Sequence, residues 1–333
     1  MNKFSIRTDL AIETTELLIK NAKKAEKEEK IDGVEVDVEK SERDDITVTW
    51  VKITNEQGAK SMGKPIGNYV TIESPAMKEN DAEAHEHIIK ILSQNLIKLR
   101  NIDENSVILV VGLGNWNVTP DALGPQVVSR ILVTRHIAHS LPEQINDSVR
   151  AVAAISPGVM GITGIETGEI IKGIAKSMKP DLIIAVDALA ARRSGRINSA
   201  IQMADTGVIP GSGVGNKRMA LNEETLGVPV IAVGVPTVVD AATLVNDTMD
   251  MMLGAMMSES KKGGEFYEML SELHEEEKYN LITQILNPYV GNMFVTPKEV
   301  DAVIKRLANI IANSINIALH PAIQIDDINR YMN

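Results

Sequence analysis

Two carboxylates carry the chemistry this chain offers. In residues 106–128, SVILVVGLGNWNVTPDALGPQVV, an apolar run enters a glycine turn, and Asp121 stands just before a helix. In residues 180–193, PDLIIAVDALAARR, a second apolar run ends on Asp187. Open α/β sheets bind ligands in the crevice beyond the carboxyl ends of their strands. Two acids delivered there can divide the work of water activation, one ionised and the other keeping a proton in a partly desolvated place. A structural reading stands beside each catalytic one. Asp121 has the position of a helix-capping aspartate, favoured by free N–H groups and the helix dipole. Asp187 has that of a structural aspartate bonded to a neighbouring loop. Acids that close titrate as a pair, so base and acid are not assigned individually.

Other motifs are weaker. Gly112-Leu113-Gly114 begins a dinucleotide fingerprint, but Asn117 stands where the third glycine belongs. The glycines instead allow a tight backbone turn beneath Asp121. Asp205-Thr206-Gly207 matches one loop of pepsin-like proteases without the second copy they need, and reads as a turn using Gly207. The glycine-rich residues 206–216 form a loop suited to border the crevice. His136 with His139, and His85 with His87, have no third ligand near in sequence, so neither a metal nor another cofactor is expected. No serine sits in a G-x-S-x-G elbow. The absence of cysteine excludes disulfides, thiolate metal sites and a thiol nucleophile.

These residues need elements to position them. Residues 107–111, Ala151–Ile155, 182–186 and 230–235 are short apolar runs. Helical spacing lies between them, near 127–138, over Thr167–Met178 and about 216–221. That alternation predicts a mainly parallel sheet with helices on both faces. Residues 34–74 alternate in period two between Gly and Pro signals, which predicts a β-hairpin insertion. A helix is expected from about Thr14 into the charged tract 23–30, and another over 82–99. The tail, about 239–320, reads as a helical appendage. It comprises a methionine-rich helix (239–257, a core helix or an adaptable interface), an acidic amphipathic segment (265–286) and a periodic helix opening on Thr296-Pro297 with Glu299 at N3. With 333 residues and a net charge of −11, the chain offers no basic patch for a nucleic-acid partner. The N-terminus lacks a signal-peptide layout and no uninterrupted apolar run reaches about 18 residues, so a cytoplasmic chain with no membrane partner is expected.

Seven segments in collinear order resemble the germination proteases of spore-forming bacteria, endopeptidases that degrade small acid-soluble spore proteins. They are RTDLA at 7–11, VVGLGNWNVTPDALGP at 110–125, ISPGVMGITGIET at 155–167, DLIIAVDALAARR at 181–193, DTGVIPGSGVGN at 205–216, VGVPTVVDA at 233–241 and FVTPKEVD at 294–301. The resemblance implies a three-layer α/β/α sandwich similar to the hydrogenase-maturation endopeptidases. It implies an atypical aspartic endopeptidase in which Asp121 and Asp187 are the catalytic pair. The histidine that completes the metal site of the maturation enzymes has no clear match here, so metal-free hydrolysis is expected. The resemblance further implies a homotetrameric zymogen of the forespore and spore core that removes its own propeptide. Family substrates are cut after an acidic residue. Thr8-Asp9-Leu10-Ala11 has that chemistry, giving a propeptide of residues 1–9, a scissile bond between Asp9 and Leu10, and one peptidase domain over 10–333. A pocket for an acidic side chain calls for a cation, with Arg192, Arg193, Lys217 and Arg218 as candidates. The rival readings are a metal-dependent peptidase on the same fold and a non-catalytic nucleotide-binding α/β protein.

Overall fold

The structure, a computed structural model, describes residues 8–24, 31–41, 45–140, 149–211, 218–259 and 293–323, with residues 264, 282, 284 and 285 besides. Its strands are β1 (Val34–Lys40), β2 (Thr47–Ile53), β3 (Gly67–Glu73), β4 (Val107–Gly112), β5 (Ala151–Ile155), β6 (Leu182–Ala191), β7 (Ala200–Ala204), β8 (Val230–Asp240) and β9 (Phe294–Val295). All join one sheet in the order β1-β2-β3-β7-β8-β6-β4-β5, with β9 on β8. β5, β4, β6 and β8 run parallel and are the apolar runs of the sequence. Such runs suit strands covered on both faces. Residues 34–74, expected as a hairpin insertion, are an antiparallel wing of the same sheet. β3 pairs with β7, placing Val70 opposite Met203.

The period of two sends alternate side chains to opposite layers. Ile108, Val110 and Ile184 pack against helices Ala82–Leu99, Leu123–Val128 and Val300–Leu319 through Ile88, Leu92, Leu123, Leu307 and Ile311. Leu109, Val111, Ile183 and Ala185 meet Ile171 and Ala175 of helix Thr167–Met178 on the other face. Helices Ala11–Lys24 and Glu56–Met62 cover Val51, Ile53 and Tyr69 of the wing. The result is the expected three-layer α/β/α sandwich.

Several boundaries differ from the sequence reading, each for a visible reason. β6 and β8 run past residues 186 and 235 because they go on pairing with each other after β4 stops at Gly112, opposite Val186. The methionine-rich helix therefore starts at Ala241. It leaves Met251, Met252 and Met256 exposed, so it is not a core helix. The helix expected over 127–138 splits into Leu123–Val128 and Arg135–Ser140. Between them the Asn316 side chain pins the backbone, accepting from Leu132 N–H (2.9 Å) and donating to the Arg130 carbonyl (3.0 Å). No helix forms at 218–221, because Leu221 bridges Val208 instead. The last helix begins at Val300, since Thr296 Oγ1 donates to the Thr237 carbonyl rather than capping. This helix is no appendage: Leu307, Ile311, Ile315 and Leu319 are core residues. By length and composition it could cross a membrane, contrary to expectation, but 72 % of its apolar window is buried inside the protein. Residues 25–30 and most of 265–286 lie outside the described residues.

Candidate active site

β4 delivers Asp121 through a turn that only glycine permits. Gly114 has φ +112, and a Cβ there would lie 1.9 Å from the Asp121 carbonyl oxygen. The turn lets Asn115 N–H donate to both the Asp121 carbonyl (3.1 Å) and carboxylate Oδ2 (2.9 Å). Leu113 N–H donates to the Val186 carbonyl (2.8 Å), tying this turn to the strand that bears the second acid.

Asp187 lies within β6, not at its end. It is the first β6 residue beyond the β4 pairing, and only 7 % of it is exposed. Opposite it stands Gly234 of β8, and opposite Gly234 stands Gln202 of β7. The three form one row across the sheet, with the Leu189 side chain packed over Gly234 in the middle. Asp187 Oδ1 accepts from Ala188 N–H (2.9 Å). Burial raises the pKa of Asp187 well above the usual carboxylate value, and the negative charges of Asp121 and then Asp9 raise it further. Burial also raises Asp121, while the Asn115 N–H and the charge of Arg218 oppose the shift. The structure thus brings both acids to one cavity of about 600 Å³, which Arg218 also lines. A second cavity of about 330 Å³ shares Asp9 and Asp187 and continues past Lys64, Tyr69 and Gln202.

The N-terminal segment lies in this cleft. Asp9 N–H donates to the Ala190 carbonyl (3.3 Å), and Ala190 N–H donates to the Asp9 carboxylate (2.9 Å). A register shift between Leu189 and Ala190 interrupts the β6–β8 ladder at this point. The Asp9 carbonyl accepts from Lys64 Nζ (2.8 Å) and Gln202 Nε2 (3.1 Å), while Gln202 Oε1 accepts from Ala11 N–H (2.6 Å). Leu10 is fully buried against Ile12 and Leu189. Behind it, the Glu13 carboxylate accepts from Thr8 Oγ1 and from the N–H groups of Arg192 (2.7 Å) and Arg193 (2.9 Å).

The model of the germination protease family matches residues 11–265 and 254–332. The chain belongs to the germination protease family. It is 52 % identical over 330 residues to the germination protease of Clostridium tetani, covering 99 % of this chain and 100 % of that one. It is 43 % identical over 366 residues to that of Bacillus cereus strain AH187, covering 99 % and 98 %. A crystal structure of the NiFe hydrogenase maturation protease HycI from Thermococcus kodakarensis aligns with 63 % of this chain and 92 % of its own, at 19 % identity and a TM-score of 0.31. A germination protease is a hydrolase of peptide bonds with protein substrates.

Among the cations expected to read an acidic side chain in this germination protease, Arg193 pairs with Glu16 at 3.4 Å. Arg192 acts on Glu16 and Asp247. Arg218 faces the aspartate pair, and Lys217 lies outside the described residues. The ammonium at Asp9 belongs to Lys64, which sequence reading missed. It sits in a turn between Gly63 and Pro65, where nothing local marks it. Gln202 did leave a signal, as an amide within the buried strand AIQMA. Arg196, also missed, binds Glu16 through both guanidinium NH2 groups and Glu73 through Nε. The Asp205 carboxylate holds Asn68 through its backbone N–H and its side-chain amide, and Gly207 has φ +76, so this triplet is the turn expected of it. Among the described residues, no group of three or more His, Asp or Glu is placed to hold a metal. His136 is exposed, the side chain of His139 lies outside the described residues, and His85 Nε2 stands 3.1 Å from the Ala76 carbonyl.

Proposed function

We propose that the protein is an aspartic endopeptidase that cuts small acid-soluble spore proteins during germination, made in the forespore as a zymogen that first removes its own residues 1–9. One observation carries this reading. The Asp9–Leu10 peptide lies in the cleft, with the Asp9 carbonyl held by Lys64 and its carboxylate by Ala190 N–H, and the Asp9 charge is felt by the buried Asp187. In this reading Asp187, the more buried of the two, holds the shared proton and Asp121 acts as the base. Asp121 takes a proton from water while the water oxygen bonds to the carbonyl carbon. Asp187 gives its proton to the departing nitrogen, the C–N bond breaks, and the proton on Asp121 returns to Asp187 to restore the pair. No acyl-enzyme forms. The same subsites would take the acidic residue of a spore-protein substrate once the propeptide has left. The exposed methionines of helix Ala241–Glu259 are adaptable apolar surface of the kind a subunit interface of the expected homotetramer would use.

The test offers a spore-protein peptide, with an acidic residue before the scissile bond, to chains expressed without residues 1–9, so that no variant depends on self-processing. Asp121→Asn and Asp187→Asn should each lower kcat/KM by about 10²–10⁴-fold with the fold intact. Activity near wild type in either variant removes the dyad. Activity lost to a chelator and restored by a divalent ion moves the reading to a metal-dependent peptidase.

A further inference from the structure

We propose that Lys64 and Gln202 form the oxyanion hole of this site, so that catalysis rests on four side chains and not two. The inference rests on the reading that Asp9–Leu10 is the bond cut. The Asp9 carbonyl oxygen is held by two donors from separate elements: Lys64 Nζ at 2.8 Å from the turn before β3, and Gln202 Nε2 at 3.1 Å from β7. When water adds to the carbonyl carbon, its π electrons move onto this oxygen, which becomes an alkoxide. Fixed donors at 2.7–3.1 Å from that position stabilise it, and an ammonium does so more strongly than a neutral amide. Collapse of the alkoxide re-forms the carbonyl as the C–N bond breaks, with the proton from Asp187 leaving on nitrogen.

Three further observations favour this role over a merely structural lysine. Gln202 spans the scissile bond: its oxygen receives the Ala11 N–H at 2.6 Å while its nitrogen serves the Asp9 carbonyl, so one amide sets both sides of the bond in register. The row Gln202–Gly234–Asp187 puts the acid two strands from the amide, with the Leu189 side chain that covers Leu10 packed over Gly234 between them. Space is short there, since a Cβ on Gly234 would lie 2.6 Å from the Leu189 side chain. Burial lowers the pKa of Lys64, and the charges of Asp9 and Glu13 oppose that shift. Lys64 is only partly buried, and the two carboxylates that oppose the shift favour its charged form beside the Asp9 carbonyl.

The experiment follows self-cleavage of the full chain by mass spectrometry at mildly acidic pH. The event is unimolecular, so its first-order rate constant reads the barrier without a binding term. Lys64→Met keeps the length of the side chain and removes the charge. The rate should fall about 10²–10³-fold, the usual cost of one oxyanion donor. Lys64→Arg should recover much of that loss, because a cation is retained. Gln202→Met should slow cleavage by a similar factor, and it carries the test if Lys64→Met fails to fold by its thermal midpoint. Asp187→Asn runs beside them. Silence in Asp187→Asn together with wild-type rates in folded Lys64→Met or Gln202→Met overturns the oxyanion assignment alone. Wild-type rates in Asp187→Asn, or an intact wild-type chain, overturn the self-cleavage reading and this assignment with it.

Discussion

Asp121 makes the proton on Asp187 harder to remove. Burial is the larger cause, the neighbouring carboxylate the next. The consequence for stability has a definite sign. The ordinary value is 3.8, and the folded protein raises it, so above about pH 4 the native state binds more protons at Asp187 than the unfolded chain does. Stability from this group is therefore full at low pH and is lost as pH rises through the raised value. Asparagine carries no titrating proton and imitates the neutral acid. Denaturant midpoints of the wild type and Asp187→Asn should diverge as pH climbs from 4 to 8, the variant becoming relatively more stable. A difference constant across that range would contradict the burial argument.

Gly124 fixes the distance between the two acids. A Cβ on it would stand 2.3 Å from the Leu113 carbonyl oxygen and 2.6 Å from that of Val186, the residue just before Asp187. These are backbone atoms, and they cannot step aside singly. Gly124→Ala should lower stability by about 1–3 kcal/mol, the usual cost of overpacking. A displacement near 1 Å at the pair should also cost on the order of 10²-fold in peptide cleavage. Peptide turnover at the wild-type rate would show that the Asp121 helix does not set the catalytic geometry.

Arg196 anchors the helix that follows Leu10. Its guanidinium meets Glu16 at 2.7 Å, Glu73 at 2.6 Å and Glu13 at 3.6 Å, with a tenth of its side chain exposed and Glu13 fully buried. Burial opposes ionisation of Glu16, yet Arg196 holds its pKa below the ordinary value. Arg196→Leu would strand three carboxylates at the end of the cleft. A loss of about 3–5 kcal/mol is expected by denaturant unfolding, as for one partner removed from a buried ion pair. Hydrogen exchange should show helix Ala11–Lys24 opening first. A loss under about 1 kcal/mol would mean the cluster is solvated.

What the sequence made legible was local. The four parallel strands are continuous apolar runs, and both aspartates interrupt or follow such runs, so their meeting could be argued from spacing. The glycines before Asp121 could be given their role because a turn beneath an acid needs positive φ, and Gly114 has it. Lys64 stayed hidden because its partner is a backbone carbonyl 55 residues away. That meeting depends on β3 joining β7, an antiparallel pairing that alternation alone does not specify. The C-terminal helix, expected as part of an appendage, carries the polar side chains Asn313, Ser314 and Asn316 among its apolar ones. They are buried, with Ser314 bonded to the Ile310 carbonyl and Asn316 to the segment Arg130–Leu132. Of the four cations expected to read the acidic residue, Arg192 and Arg193 are turned to other work. Their backbone N–H groups serve Glu13, and the charge of Arg193 goes to Glu16.

The most direct measurement is mass spectrometry of the purified full chain, incubated at mildly acidic pH beside its Asp187→Asn variant. An aspartate pair acting on the Asp9–Leu10 bond predicts a wild-type product that begins at Leu10 and a variant that stays whole. A product from both chains, or from neither, would contradict it.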